Sequence, residues 1–123
     1  MMSKNKYTLV LGASDNPERY SYLAVNSLRK HGHAVAAVGR KKVKVADVEV
    51  ENEMLPFKNI DTVTLYMNET HQKDCYDYIF SLQPDRIIFN PGAENDELYN
   101  LAKQKGINVI EACTLVLLST GQY

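Results

Sequence analysis

Four residues that follow the first apolar segment could together hold a diphosphate. Gly12 ends the segment 7–12, and Ser14, Asn16 and Arg19 follow it within one polar turn. A glycine lets the backbone approach a ligand closely, and the helix predicted next offers free amide groups and the positive end of its dipole. The Ser14 hydroxyl and the Arg19 guanidinium would add hydrogen-bond donors. An ordinary capped turn explains the same residues, since one glycine after a strand is weak evidence for a ligand.

A basic turn after the second apolar segment narrows the choice of ligand. The segment 34–39 ends at Gly39, and Arg40, Lys41 and Lys42 follow it. A fold that binds NAD usually carries Asp or Glu at this place for the ribose hydroxyls, whereas cations suit a ribose that carries a phosphate. NADP and coenzyme A both contain such a ribose. A solvated basic turn is the alternative interpretation.

The remaining reactive side chains do not predict a catalytic centre. His31 and His33 follow the first helix and are predicted to be solvent-exposed turn residues. His71 could reach the same crevice, but no carboxylate or serine has a spacing that would make it a base. Cys75 falls in an apolar helical stripe and is expected to behave as a small hydrophobe. Cys113 closes the last strand, where its thiol could form a mixed disulfide with a thiol ligand under oxidation.

Length and composition predict one soluble domain over residues 1–123. The chain has a formal net charge of −1 and is 45% hydrophobic, which suits a single packed core and gives no global reason to expect nucleic acid or an acidic membrane as partner. No segment is long and apolar enough for a signal peptide or a membrane span. The two cysteines lack metal-site spacing and predict reduced thiols in the cytoplasm.

The elements that must position these residues alternate between strand and helix. Strands are predicted at 7–12, 34–39, 61–68, 85–92 and 107–113, with a short edge strand around 48–50 in an otherwise irregular segment. Helices are predicted after Gly12, after a cap at Thr70 and after a cap at Asn95. The first of them is predicted to end at Gly32 and the last at Gly106. The buried stripe of the first helix is predicted to comprise Tyr20, Leu23, Ala24, Ser27 and Leu28.

Such alternation is typical of an α/β fold with three layers, in which a mainly parallel sheet of about five strands has helices on both faces. Ligands of these sheets bind outside the carboxyl ends of the strands, where the strand order reverses. The turns 12–20, 39–42, 66–70 and 90–95 therefore form the expected crevice.

The segment "VLGASDNPERYSYLAVNSLRKHGH" resembles the helix entry of the small CoA-binding proteins, whose domain also opens the α subunit of succinyl-CoA ligase. The segments "FNPGAENDEL" and "GINVIEAC" extend the resemblance over nearly the whole chain. The resemblance implies a Rossmann-like fold that binds coenzyme A or an acyl-CoA, a small nucleotide ligand, without catalysis of its own.

The resemblance also implies which residues would face the ligand. Arg40 or Lys41 would meet the ribose phosphate, although Gly39 and Arg40 replace the Asn-Pro pair that relatives commonly carry. Tyr66 and Met67 would flank the adenine or the pantetheine arm. Asn90, Pro91 and Gly92 would line the other side of the crevice. The residues expected at the phosphates and at the start of the helix beneath them are Gly12, Ala13, Ser14, Asn16, Arg19 and Tyr20.

Two other functions fit the same sequence. The basic turn permits an NADP-binding domain of an oxidoreductase, although the chain has no residues left over for a substrate-binding part. A protein-interaction module is the other alternative. In that case the apolar segment 114–123 would dock onto a partner or a second copy to form a homodimer, unless it forms a last helical turn that covers the sheet.

Overall fold

The apolar segments of the sequence form one sheet with helices on both faces. The computed structural model describes residues 5–123, so the start of the N-terminal segment, for which no signal peptide is predicted, lies outside the described residues. The strands are β1 (Thr8–Ala13), β2 (Val35–Gly39), β3 (Val43–Val45), β4 (Val48–Glu51), β5 (Thr62–Leu65), β6 (Arg86–Phe89) and β7 (Asn108–Glu111). The helices are α1 (Tyr20–Lys30), α2 (Glu69–Gln72), α3 (Tyr76–Ser81), α4 (Asp96–Gln104) and α5 (Thr114–Ser119), with a 3₁₀ turn at Lys73–Cys75 between α2 and α3.

The order of the strands reverses at the centre of the sheet, between β1 and β5. The order is β3-β4-β2-β1-β5-β6-β7, and every neighbouring pair is parallel except β3 and β4. From β1 the chain builds outward through β2 on one side and through β5 on the other. This confirms the predicted Rossmann-like α/β fold and makes the carboxyl ends of β1 and β5 the place where a ligand crevice opens.

The prediction of about five strands was too low, because the segment after β2 forms a hairpin. The described residues contain seven strands. β3 and β4 pair with Val45 opposite Val48, and Ala46 between them has the positive φ of 54° that tight hairpin turns require. Val48 and Val50 are buried while Lys44 and Glu49 face solvent. This alternation is the pattern of a half-buried strand. β4 confirms the short strand predicted around 48–50, but β3, which was not predicted, forms the edge of the sheet in its place.

Alternate residues of β1 supply the cores on the two faces of the sheet. Leu9 and Leu11 belong to a cluster with residues of α3 and α4, whereas Val10 and Ala13 belong to a cluster with residues of α1 and α5. All four side chains are buried. The central strand is therefore covered on both faces, as its unbroken apolar run predicts.

The buried face of α1 differs from the predicted stripe. Tyr20 is 70% exposed and Leu23 is 41% exposed, so the prediction was wrong for both, whereas it was right for Ala24 and Leu28. The buried face follows a spacing of three, four and seven residues from its first member, as a helix packed on a sheet requires. Its members are Ser21, Ala24, Val25 and Leu28.

The predicted ends of the helices are confirmed in three cases and corrected in one. Gly32 and Gly106 follow α1 and α4 with φ of 84° and 79°, the left-handed conformation that a glycine C-cap uses. Asn95 caps α4 by accepting a hydrogen bond from the Leu98 amide at 3.2 Å. The first helix after β5 begins earlier than predicted, because Asn68 and not Thr70 is its cap.

The apolar C-terminal segment covers the sheet. Residues 114–119 form α5, which packs against α1, and Leu117 and Leu118 are both buried. Val116 faces outward and is 54% exposed. Of the two roles predicted for this segment, the structure supports the helical turn that covers the sheet. No helix among residues 5–123 has the length and apolar character needed to cross a membrane.

His33 is buried, contrary to the prediction of an exposed turn residue. It is only 5% exposed because the chain enters the sheet directly after Gly32 and the ring packs against Tyr123, with the ring centroids 4.8 Å apart. The Nδ1 atom of His33 accepts a hydrogen bond from the Lys6 amide at 3.0 Å. Burial lowers the pKa of His33, and the nearby positive charges of His31, Lys6 and Arg86 lower it further.

We expect the depressed pKa of His33 to make the fold less stable in mild acid. The unfolded chain takes up a proton on this residue at about pH 6.5, before the folded protein does, so the free energy of unfolding falls as the pH drops through that value. His33→Asn keeps an acceptor for the Lys6 amide and should flatten this dependence. Urea titrations at about pH 7.5 and 5.5 measure it. The exposed His71 gives the control His71→Asn, which should keep the parent slope. If the free energy of unfolding of His33→Asn depended on pH as strongly as that of the parent, His33 would not be the source of this dependence.

Candidate functional site

A cleft of about 920 Å³ opens at the carboxyl ends of β1, β2 and β5. A second cavity, of about 460 Å³, lies at the opposite edge of the sheet among polar residues such as Asn5, Asp61 and Asp85. The larger cleft coincides with the crevice that the strand order predicts. The residues that line it are Leu11, Gly12, Ala13, Ser14, Asp15, Asn16, Glu18, Arg19, Tyr20, Ser21, Val38, Gly39, Arg40, Lys41, Val43, Met54, Tyr66, Met67, Asn68, His71, Cys75, Pro91, Gly92 and Ala93.

Gly12 brings the tip of β1 against the backbone of the segment that follows β5. Its φ is 96°, and a Cβ atom added there would lie 3.0 Å from the carbonyl carbon of Tyr66 and 3.3 Å from the amide nitrogen of Met67. A side chain at this position would therefore need both a strained backbone and a wider gap between the two tips. The fold thus requires a glycine at position 12, at the floor of the cleft.

Gly39 lets the tip of β2 approach the tip of β1 even more closely. Ala13 pairs with Gly39 in the parallel register, and a Cβ atom on Gly39 would lie 2.1 Å from the carbonyl oxygen of Ala13. No side chain fits at that distance. The turn that carries Ser14 and Arg19 therefore begins directly beside the turn that carries Arg40 and Lys41.

The turn between β1 and α1 is braced by its own polar side chains. The Ser14 hydroxyl accepts from the Asn16 amide at 3.0 Å, and the Asn16 side-chain oxygen accepts from the Glu18 amide at 3.0 Å. Because the Ser14 hydroxyl acts here as an acceptor, its proton stays available to a ligand. Arg19 occupies the N-cap of α1 without a side-chain capping bond, and the first turn of α1 contains no acidic residue. The positive end of the α1 dipole is therefore open to an anion.

Three cations lie exposed along this side of the cleft. Arg19, Arg40 and Lys41 form no ion pair within residues 5–123. The neighbouring Lys42 differs, since its Nζ atom lies 3.6 Å from a carboxylate oxygen of Glu51. Two acidic residues of the turn between β1 and α1, Asp15 and Glu18, line the same cleft and offset two of these three charges. The remaining positive charge favours an anion over a neutral ligand.

The opposite wall of the cleft carries little charge. It is formed by the segments that follow β5 and β6, and its lining residues are Met67, Asn68, His71, Cys75, Pro91, Gly92 and Ala93. Gly92 adopts a φ of 90°, and its amide donates to the Glu94 carboxylate at 2.9 Å. The cleft is thus polarised, with cations on one side and small, apolar or neutral groups on the other.

The cleft brings together all of the predicted site residues except Asn90. Asn90 is 2% exposed, and its side-chain amide donates to the Thr64 hydroxyl at 2.6 Å and to the Leu65 carbonyl at 2.9 Å. Its side-chain oxygen accepts from the Thr114 amide at 2.9 Å. Asn90 therefore joins β6 to β5 and α5 and does not line the cleft. Asn90 was predicted to line the cleft because the sequence Asn-Pro-Gly is typical of a turn. Nothing in this local sequence indicates that its first side chain points inward.

Tyr66 reaches the cleft, but its ring packs against the core. The hydroxyl is buried and has no hydrogen-bond partner within residues 5–123, and burial raises its pKa to about 12. The contact of Tyr66 with Gly12 is made by its main chain. Met67, the other residue predicted to flank the adenine or the pantetheine arm, also lines the cleft and is likewise partly buried. It packs against the core on the other face of the sheet, with its sulfur 3.8 Å from the Cys75 sulfur.

Several lining residues were not among the predicted site residues. Met54, 49% exposed, follows β4, whose parallel pairing with β2 places it at the edge of the sheet where the cleft opens. Cys75 lines the opposite wall, is 7% exposed and is a small core residue as predicted. Cys113 is half-buried before α5 and is not among the lining residues, so the geometry gives no support to a mixed disulfide there. Residues 5–123 contain no group of three or more acidic, histidine or cysteine side chains that could hold a metal.

Comparisons with known proteins concern the family and the fold of the chain. A family model for the CoA binding domain matches residues 6–119. An uncharacterized protein of known structure is 46% identical, with 98% of this chain and 100% of that chain covered and a TM-score of 0.95. A protein from Thermus thermophilus shares the fold at 21% identity, with 97% and 91% coverage and a TM-score of 0.84. An oxidoreductase from Bacillus cereus is more distant, at 16% identity over 85% of this chain and 34% of its own length, with a TM-score of 0.59. No curated protein matches the chain.

We expect Gly12→Ala to destabilise the fold more than the same change at Gly106. Both glycines have left-handed backbone, which costs an alanine about 1–2 kcal/mol, but a Cβ atom at Gly106 would meet nothing within 4 Å. The contact with Tyr66 and Met67 should add about 1–3 kcal/mol at Gly12 alone. Urea denaturation of both variants measures the difference. Equal losses would show that the tips of β1 and β5 are not held as closely as described.

Proposed function

Since the chain belongs to the CoA binding domain family, we propose that it binds coenzyme A or an acyl-CoA in the cleft at the carboxyl ends of β1, β2 and β5. The observation that carries this proposal is that the contact between Ala13 and Gly39 holds the turn with Arg19 beside the turn with Arg40 and Lys41. Coenzyme A carries a diphosphate and a separate ribose phosphate, so it needs cations at two neighbouring places. The proposed binding residues are the predicted ones without Asn90.

The two turns divide the phosphates between them in this proposal. The diphosphate lies at the start of α1, where Ser14, Arg19 and the helix dipole offer donors. The ribose phosphate lies at Arg40 and Lys41. The pantetheine arm then runs along the neutral wall past Met67 and Pro91–Gly92, because its amides and thiol carry no charge.

The proposed function is binding, without catalysis by this domain. The ionisable side chains that line the cleft besides the three cations and Tyr20 and Tyr66 are Asp15, Glu18, His71 and Cys75. Burial raises the pKa of the Cys75 thiol, with a smaller contribution from Asp74, so this thiol is a poor nucleophile at neutral pH. Cys75 and Cys113 are both free thiols, which fits the cytoplasm that the sequence predicts.

We expect removal of the Arg19 or the Arg40 side chain to weaken the binding of coenzyme A. Arg19→Ala and Arg40→Ala should each raise the Kd by about 10-fold to 100-fold, because each would lose a charged hydrogen bond to phosphate. Isothermal titration calorimetry at constant ionic strength measures the effect. Lys30→Ala is the matched control, since Lys30 is exposed in the last turn of α1, away from the cleft, and should leave the Kd unchanged.

The two variants should also differ in their response to dephospho-CoA, which lacks the ribose phosphate. Arg40→Ala should reduce the preference for coenzyme A over dephospho-CoA, whereas Arg19→Ala should weaken both ligands equally. Undiminished affinity in both variants would contradict the proposed site. Tight binding of NADPH by the parent chain with no response to coenzyme A would favour the NADP-binding alternative and overturn the proposed function.

A further inference from the structure

Gln72 is a fully buried polar side chain behind the neutral wall of the cleft. It ends α2 and has 0% exposure. Its side-chain nitrogen donates to the main-chain carbonyl of Met67 at 2.8 Å and to that of Ala93 at 2.7 Å. Both acceptors belong to residues that line the cleft, one in the segment after β5 and the other in the segment after β6.

Neighbouring side chains fix the orientation of the Gln72 amide. The Gln72 oxygen accepts from the side-chain amide of Asn95 at 3.0 Å, and the same Asn95 group donates to the Tyr76 hydroxyl at 2.8 Å. The Tyr76 hydroxyl in turn donates to Glu97 at 3.0 Å. The other oxygen of this network, on Asn95, accepts from the Leu98 amide and caps α4. A reversed Gln72 amide would place its oxygen against two carbonyl oxygens, so only one orientation satisfies every partner.

From this geometry we infer that Gln72 is the positioning residue of the wall that receives the pantetheine arm. The inference rests on the proposed function. α2 has only four residues, and the stretches 67–72 and 90–93 are the ones whose spacing sets the width of that wall. Gln72 joins them directly through two bonds to main-chain oxygens, and a buried amide with all its bonds made is costly to displace. Gln72 itself does not line the cleft.

Because the cleft is polarised, the role of Gln72 can be separated experimentally from the binding of the nucleotide half of coenzyme A. The three exposed cations lie on the turns after β1 and β2, and the contacts of Gln72 involve only the segments after β5 and β6. Loss of the Gln72 contacts should therefore affect the pantetheine arm and spare the phosphates. Adenosine 3′,5′-bisphosphate is the nucleotide part of coenzyme A without the pantetheine arm, so it is the probe for the spared half.

The test compares both ligands in Gln72→Glu, a change of one side-chain atom that replaces the donor with an oxygen facing two carbonyl oxygens. Calorimetry on the full chain should show coenzyme A weakened by about tenfold or more, with the affinity for adenosine 3′,5′-bisphosphate unchanged. A merely structural role would weaken both ligands together. Gln104→Glu, the same chemical change at an exposed position of α4, is the matched control and should alter neither affinity.

Asn95→Asp provides a second variant in case Gln72→Glu does not fold. It keeps an oxygen to cap α4 but removes the donor that orients Gln72, so it should weaken coenzyme A selectively in the same direction. If a folded variant binds both ligands as the parent does, or loses both equally, the positioning role is overturned while the proposed function stands. If the parent chain binds neither ligand, the proposed function fails and this inference fails with it.

Discussion

The close approach of three strand tips is the constraint on which the cleft depends. At the centre of the sheet, β1 meets β2 and β5 at distances that leave no room for a side chain on Gly39 and little for one on Gly12. These contacts are made by main-chain atoms, so they are set by the strand register and not by the packing of flexible side chains. They place the turn with Arg19 next to the turn with Arg40, at the point where the order of the strands in the sheet reverses.

The charges of the cleft follow from this backbone arrangement. Arg19, Arg40 and Lys41 remain solvated and without ion pairs within the described part of the chain, while Lys42 and Arg29 are paired with carboxylates. Exposed cations cost the fold little because water screens them, and their attraction for phosphate increases when a ligand displaces that water. A carboxylate in place of Arg40 would instead favour a ribose with free hydroxyls. In the proposed function, the residues at the strand tips therefore select the ligand class, whereas the apolar strands determine the fold.

Local patterns were sufficient for most of the elements and for most of the cleft, but not for β3 or for the start of α2. The apolar runs predicted the central strands, and the glycines and Asn95 predicted helix ends. The turns after the strands predicted the lining residues, because parallel strands bring their carboxyl ends to one edge of the sheet. Predictions failed where a contact between distant segments decided the outcome. Tyr123 buries His33, and Thr64 and Thr114 turn Asn90 inward. The role of Gln72 is of the same kind, because nothing within α2 reveals that its partners lie in Met67, Ala93 and Asn95.

A crystal structure of the protein grown with coenzyme A tests the central claim most directly. We expect the diphosphate at the start of α1 within hydrogen-bond distance of Ser14 and Arg19, and the ribose phosphate beside Arg40 or Lys41. The pantetheine arm should lie along the wall that ends at Ala93. Coenzyme A bound elsewhere, for example in the polar cavity at the opposite edge of the sheet, would contradict the proposed binding site. A complex in which the turn with Arg19 and the turn with Arg40 contact different molecules would contradict it as well.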